Sequence, residues 1–303
     1  MKRVILTGGT GAIGLALIQE LICNGIEVLV LCRSNSPRNV KIPKHTLVTK
    51  VFCDLEQLHT LQNDTGTEYD VFYHLAWDGT FGATRNDMEL QINNIRFALD
   101  AVHVAERFGC KSFIGIGSQA EYGPVNTKLT ASTPTFPVNG YGMAKLCAGQ
   151  MTRMEAIRLG LRQIWVRVLS VYGPNDGENT LVMSLVNKLR NGIIPDCTLG
   201  EQIWDYLYSE DAAIALRLIG EKGVDGKVYV LGSGTAKPLK DYILQIQEEI
   251  NPNVDIRFGT IPYAENQIMY LHADISELTA DTGFMPKYDF SKGIGELKKL
   301  LLN

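Results

Sequence analysis

Short apolar runs and longer amphipathic stretches alternate through the first half of the chain. Val4–Leu6, Val28–Leu31, Leu47–Phe52, Val71–Leu75, Phe113–Ile116 and Ile164–Val168 read as short strands buried on both faces. Between them, "LALIQELICNG" and "NNIRFALDAVHVAERFG" carry apolar residues at helical spacing, the latter closed by a Gly stop signal. This rhythm predicts an α/β fold, a Rossmann-type doubly wound parallel sheet with helices on both faces. Ligands of such sheets lie beyond the carboxyl ends of the strands, so chemistry is sought just after each apolar run.

Past Tyr172 the alternation loosens. "YGPNDGENT" reads as a loop and "LVMSLVNKLRNG" as a helix. "QIWDYLY" alternates like one strand, and "SEDAAIALRLIGEKG" opens with Ser209 as a candidate N-cap. "GKVYVLGSG" reads as strand and turn, and "PLKDYILQIQEEI" as a helix with Pro at its start. The expected organisation is a Rossmann domain over 1–170. A smaller substrate lobe over 171–303 is partly interleaved with it.

Composition narrows the class. Apolar residues make up 45% and charged residues 20%, an ordinary soluble balance. A net charge of −4 with scattered bases argues against nucleic acid or an anionic membrane as partner. The six cysteines show no C-x-x-C spacing, which fits reduced thiols and no metal site. The apolar N-terminus is interrupted by "TGGTG" and has no small-residue cleavage site, so it is read as a strand and helix of a cytoplasmic protein.

The first chemical signal is "VILTGGTGAIGLALIQEL", a strand, a Gly-rich turn and a helix. Gly9, Gly11 and Gly14 satisfy G-x-G-x-x-G, and Gly8, Gly11 and Gly14 satisfy G-x-x-G-x-x-G. The turn needs positive φ, the pyrophosphate needs bare backbone, and the helix start must pack close to the strand. Free N–H groups at the helix N-terminus then meet the phosphates, so Gly8, Thr10, Gly11, Ala12, Ile13 and Gly14 are the expected cradle. At the end of the second strand stands Arg33, where NAD binders carry an acid. An arginine pairs with a 2′-phosphate, which favours NADP(H) over NAD(H).

A second signal is Tyr-x-x-x-Lys, which occurs twice, as Tyr141–Lys145 and Tyr288–Lys292. On a helix such a pair shares one face. Spacing alone does not separate a catalytic pair from coincidence.

In order along the chain, "TGGTGAIG", "FCDL", "YHLAW", "QINNI", "GIGSQAEYGP", "YGMAK", "VRVLSVYGP" and "DYLYSEDAA" resemble the extended short-chain dehydrogenase/reductases, in their nucleotide-sugar epimerase/dehydratase branch. The resemblance implies that Asp54 and Leu55 meet the adenine, Leu75 and Ala76 run along the cofactor, and Asn93 steadies the active-site helices. It also selects Tyr141–Lys145, one βα unit after the strand ending at Ser118. Tyr141 would be the acid–base, Lys145 would favour its phenolate and hold the nicotinamide ribose, and Ser118 would hold the reacting oxygen. Tyr288–Lys292 has no such strand end upstream and is expected at the surface.

The implied substrate is a nucleotide-linked sugar, and the first reading is a C4 epimerase working through a keto intermediate. The alternatives are an NADPH-dependent nucleotide-4-keto-sugar reductase and a non-catalytic NADP-binding regulator. Gln119 and Ala120 stand where 4,6-dehydratases of the family carry Asp-Glu, so loss of water looks disabled. Trp204 replaces an arginine that would clasp diphosphate, and Ser170 replaces the usual Asn. Trp77, Ser118, Gln119, Ser170 and Trp204 are the candidate substrate residues. The helix over Asn93–Phe108 is a candidate homodimer face.

Overall fold

The computed structural model describes residues 1–302. Six of its strands realise the expected apolar runs: β1 (Arg3–Thr7), β2 (Glu27–Cys32), β3 (Val48–Phe52), β4 (Val71–His74), β5 (Ser112–Ser118) and β6 (Arg162–Val168). With β7 (Val228–Leu231) they form one seven-stranded sheet in the order β7-β6-β5-β4-β1-β2-β3, every pair parallel. The chain runs outward from β1 through β2 to β3, then crosses to β4 on the other side of β1. That reversal opens a crevice at the carboxyl ends of β1 and β4, where a doubly wound sheet takes its ligand.

Alternate residues of each strand serve opposite faces. Val4, Leu6, Val28 and Val30 pack with Leu17, Ile18 and Leu21 of α1 (Ala12–Cys23) and Leu216 and Ile219 of α5 (Ser209–Lys222). Ile5, Leu29, Phe72 and Phe113 pack with Ala101, Val102 and Ala105 of α2 (Met88–Arg107) and Ala156 of α3 (Gly140–Leu159). Small residues on α2 and α3 let these two helices lie close to the sheet and to each other. Truncating a core ring such as the fully buried Phe113 costs about 3–5 kcal/mol.

A second core belongs to α4 (Leu181–Arg190), α6 (Leu239–Ile250) and α8 (Phe290–Leu302). It joins Val182, Val186 and Leu189 to Ile243, Ile246, Phe290 and Ile294. Residues after 171 also supply the edge strand β7 and the helix α5 that packs on α1. A short helix, α7 (Ser276–Thr282), packs against α5 and the edge strand β7.

Two local expectations differ from the structure. "QIWDYLY" is two short strands, not one. Ile203–Trp204 pairs antiparallel with Lys237–Pro238, and Tyr206–Tyr208 pairs parallel with Ser170–Tyr172. Asp205 divides them. Its fully buried carboxylate accepts from the backbone N–H of Ser233, Gly234 and Ala273 and from the Ser233 hydroxyl. Ser209 is the first residue of α5 and not its cap, which is Tyr208 without a side-chain bond. Among the described residues no helix is long and apolar enough to cross a membrane.

Candidate functional site

The crevice between β1 and β4 holds a cavity of about 500 Å³. One end is lined by Arg33, Ser36, Arg38 and Asn39 after β2, the other by Ser118, Tyr141 and Lys145. The Gly-rich turn forms its floor. Gly8 has φ +74°, and a Cβ there would meet Ala76 N at 2.7 Å and the Leu75 carbonyl carbon at 2.8 Å. A Cβ on Gly14 would run into the Gly8 carbonyl oxygen. These contacts bring β1, the turn, α1 and the end of β4 together, and only glycine permits them.

Gly11 caps α1 with no side-chain bond, and no acid stands in the first turn. The leading N–H groups and the positive helix end are thus left for an anion in the cavity. Thr10, Gly11, Ala12, Ile13 and Gly14 all line it, as do Leu55, Leu75 and Ala76. A backbone cradle that any side chain would fill, joined to a slot reaching the Tyr141 end, fits a nicotinamide dinucleotide. Arg33 makes only a 3.9 Å ion pair with Asp78, both groups well exposed, a contact too weak to commit its guanidinium.

At the far end α3 begins at Gly140, with the Asn139 side chain accepting from Gly142 N at 2.9 Å. One turn of helix carries both Tyr141 and Lys145 into the cavity. The Lys145 ammonium is buried, donates to the Ile116 carbonyl at 2.6 Å and lies 3.8 Å over the Trp77 ring. Burial lowers its pKa to about 7, while the Glu121 charge pulls it back up. The Tyr141 ring meets Trp77 edge-on at 6.2 Å. Burial raises the Tyr141 pKa, and Ser118 and the Arg85 charge act against that rise. The Lys145 ammonium lies 5.9 Å from the Tyr141 ring centroid.

Ser118 ends β5, and its backbone N–H donates to Glu121 at 2.8 Å. Gln119, Ala120 and Glu121 form a single 3-10 turn outside the cavity lining. That turn carries Glu121 away from the cavity, and it is fully buried, accepting from Trp165 Nε1 at 3.0 Å and Arg167 Nε at 2.7 Å.

Several expected site residues take other roles. Asp54 lies outside the lining and caps the 3-10 turn Leu55–Thr60 in a capping box, accepting also from Ser34 N. Asn93 is half-buried and off the cavity. Its neighbour Asn94 is the inward amide, because 100° of helix rotation separates them. Asn94 grips the loop after β4, accepting from Asp78 N at 3.1 Å and donating to Asp78 O at 2.8 Å. Ser170 and Trp204 stand off the cavity wall and bond each other, Trp204 Nε1 donating to Ser170 Oγ at 2.8 Å. The two departures from the family pattern are thus one coupled pair. Trp77 does line the cavity, its indole N–H held by Gln91 at 2.9 Å.

Cavity residues missed by sequence include Arg38 and Asn39, on a 3-10 turn after β2, and Phe81, Asn175 and Asp176 on loops. The basic cluster "RSNSPRN" directly after β2 was a usable signal for Arg38. His74, at the end of β4, lies buried under the site with Nδ1 3.0 Å from Thr7 Oγ1. Burial and the Lys145 charge hold its pKa down to about 3.

Residues 4–232 match the family model described as NAD dependent epimerase/dehydratase family. The chain belongs to this family. Among curated members, the CDP-abequose synthase of Salmonella typhimurium is 25% identical over 99% of this chain and 98% of its own length. The dTDP-4-dehydro-6-deoxyglucose reductase of Escherichia coli is 26% identical over 98% and 96%. Of solved structures, the UDP-N-acetylglucosamine 4-epimerase of Methanobrevibacter ruminantium M1, in complex with UDP-N-acetylmuramic acid, superposes with a TM-score of 0.89. It is 24% identical and matched over 99% of this chain and 98% of that one, a likeness of fold. The family's named members include NAD(P)-dependent nucleotide-sugar epimerases, dehydratases and reductases, so the protein is an enzyme of the extended short-chain dehydrogenase/reductase type.

Proposed function

We propose that the protein reduces a keto carbon, C4, of a nucleotide-linked sugar with NADPH. The observation that carries this reading is the pair Arg33 and Arg38 at the end of the cavity remote from Tyr141. Two guanidinium groups there suit a 2′-phosphate, and NADPH suits net reduction. The Gly-rich turn and the first turn of α1 hold the pyrophosphate. Leu55 borders the adenine end, while Leu75 and Ala76 flank the path toward Tyr141. When bound, the nicotinamide supplies the hydride. Ser118 holds the reacting oxygen, Tyr141 Oη gives it a proton in reduction or takes one in oxidation, and Lys145 orients the ribose and restores charge. Trp77 walls the site against water. The curated synthase and reductase relatives support this chemistry, and Gln119-Ala120 gives no acid–base pair for elimination of water.

A C4 epimerase is the second reading, favoured by one contact. Arg38 donates to the Asn175 carbonyl at 3.1 Å, joining the two walls of the cavity. Such a strap suits a cofactor that is kept through each turnover. Purified protein tested with NADPH and a CDP- or dTDP-linked 4-keto-6-deoxyhexose decides between them. Stoichiometric loss of the reduced-nicotinamide absorbance supports the reductase. Dinucleotide retained through gel filtration, with epimerised sugar and no net oxidation, supports the epimerase. Binding without turnover of either kind returns the regulator reading.

The same helices offer a dimer face. Met143, Met151, Met154 and Ile157 on α3 and Ile92 on α2 are exposed apolar residues on this packed helix pair. Light scattering on the eluting peak measures whether the chain is a homodimer.

A further inference from the structure

The loop between β4 and α2 places a second cation on Tyr141. Arg85 Cζ stands 5.0 Å from the centroid of the phenol ring, nearer than the Lys145 ammonium at 5.9 Å. Its Nε is buried and has no hydrogen-bond acceptor among the described residues. The loop that carries it is held at several points. Gln91 Nε2 donates to Gly79 O at 3.0 Å and Thr84 O at 3.1 Å, and Asn86 Oδ1 accepts from Gly140 N at 2.9 Å. The last bond ties the loop to the residue before Tyr141.

We infer that Arg85 is a positioning residue acting through Tyr141: its guanidinium packs the phenol ring in place and stabilises the phenolate. The inference rests on Tyr141 being the acid–base group. The groups that face Tyr141 are Ser118 from the end of β5, Glu121 from the turn behind it, Arg85, and Lys145 and Trp77 around the ring. His74 lies behind Lys145 and is neutral. Glu121 opposes ionisation of the phenol, Ser118 and Arg85 favour it. Lys145 gives up its charge as pH rises through about 7. A guanidinium stays charged throughout, so Arg85 sustains the positive field where the ammonium fades.

The test replaces Tyr141 by a fluorinated tyrosine, whose phenol ionises nearer neutrality, in the full chain and reads its fluorine resonance against pH. At a fixed pH on the rising limb, Arg85→Gln and Arg85→Met are each expected to lower the phenolate fraction about tenfold, and Arg85→Lys to restore most of it. Arg85 is off the cavity lining, so NADPH affinity measured by fluorescence stays within about twofold in all three. An unchanged titration in the two neutral variants overturns the inference, as does an equal shift in Arg85→Lys, which would mean displaced packing and not charge. A raised KM with the titration unmoved would make Arg85 a substrate clasp and overturns it too. Full activity in Tyr141→Phe, by contrast, removes the acid–base reading itself, whatever the fluorine signal does.

Discussion

In both Tyr141–Lys145 and Tyr288–Lys292 an ammonium lies within cation–π range of its phenol, at 5.9 Å in the first pair and 4.5 Å in the second. The closer pair is the one outside the cavity. Tyr288 precedes α8, Lys292 stands in its first turn with its ammonium on the Lys287 carbonyl, and the phenol donates to Glu210 at 2.7 Å. That bond to an anion pushes the Tyr288 pKa up to about 12. Tyr141 is also raised, but through burial, with Ser118 and Arg85 working the other way. Both phenols are raised despite a lysine four residues on. What separates the pairs is the rest of the surroundings: a strand-end hydroxyl, a second cation and a cavity on one side, solvent and a carboxylate on the other.

The sharpest break of this comparison is removal of each phenol oxygen in turn. Tyr141→Phe is expected to lower kcat by about 10²–10⁴-fold with NADPH affinity nearly unchanged. Steady-state rates and fluorescence titration on the same preparation measure both. Activity near that of the parent would place Tyr141 with Tyr288.

The next largest effect concerns the buried imidazole behind the first pair. Burial holds His74 neutral, with a pKa of about 3, against about 6.5 in an unfolded chain. Between those values the unfolded state takes up a proton that the folded state refuses. The stability is therefore complete above about pH 6.5 and lost as pH falls toward 3, by about 1.4 kcal/mol per pH unit. Urea unfolding at about pH 7 and about pH 5 should show that loss, and His74→Asn should reduce the slope by this amount. An equal slope in both proteins would mean that the imidazole is hydrated.

Arg33→Asp probes the other end of the same cavity. Losing one charge-assisted bond and adding a repulsive one should weaken NADPH binding about tenfold to a hundredfold and leave NADH binding close to unchanged. Isothermal titration with the two cofactors gives the ratio. An unmoved ratio would assign the selection to Arg38 alone or to neither.

How far these features were legible follows from the range of the interactions that make them. The cradle was readable because Gly8 and Gly14 are demanded by local backbone contacts that no other residue allows. Ser118, Tyr141 and Lys145 were readable because strand ends and one helical turn place side chains by short-range geometry. The sequence points to Asn93 where Asn94 is the inward amide, since a difference of about 100° in helix facing is invisible until α2 is docked on the sheet. Arg38, Arg85 and Asn175 reach the site from loops whose paths depend on distant partners. Asp205 shows the same limit: alternation in "QIWDYLY" is identical for one strand or two, and only the folded Ser233–Gly234 turn and Ala273 explain the break.

The smallest expected effect closes the comparison from the other side. Tyr288→Phe removes one partly exposed hydrogen bond, to Glu210, and leaves the ring packed against Tyr208 at 4.8 Å. A bond of that kind contributes about 0.5–1.5 kcal/mol, and water can replace the lost donor at the rim. Stability should thus fall by no more than about 1.5 kcal/mol, and kcat and KM should stay at parent values. A large loss of turnover with the fold intact would show that the α8 end communicates with the cavity. The contrast drawn between the two pairs would then rest on something other than their immediate neighbours.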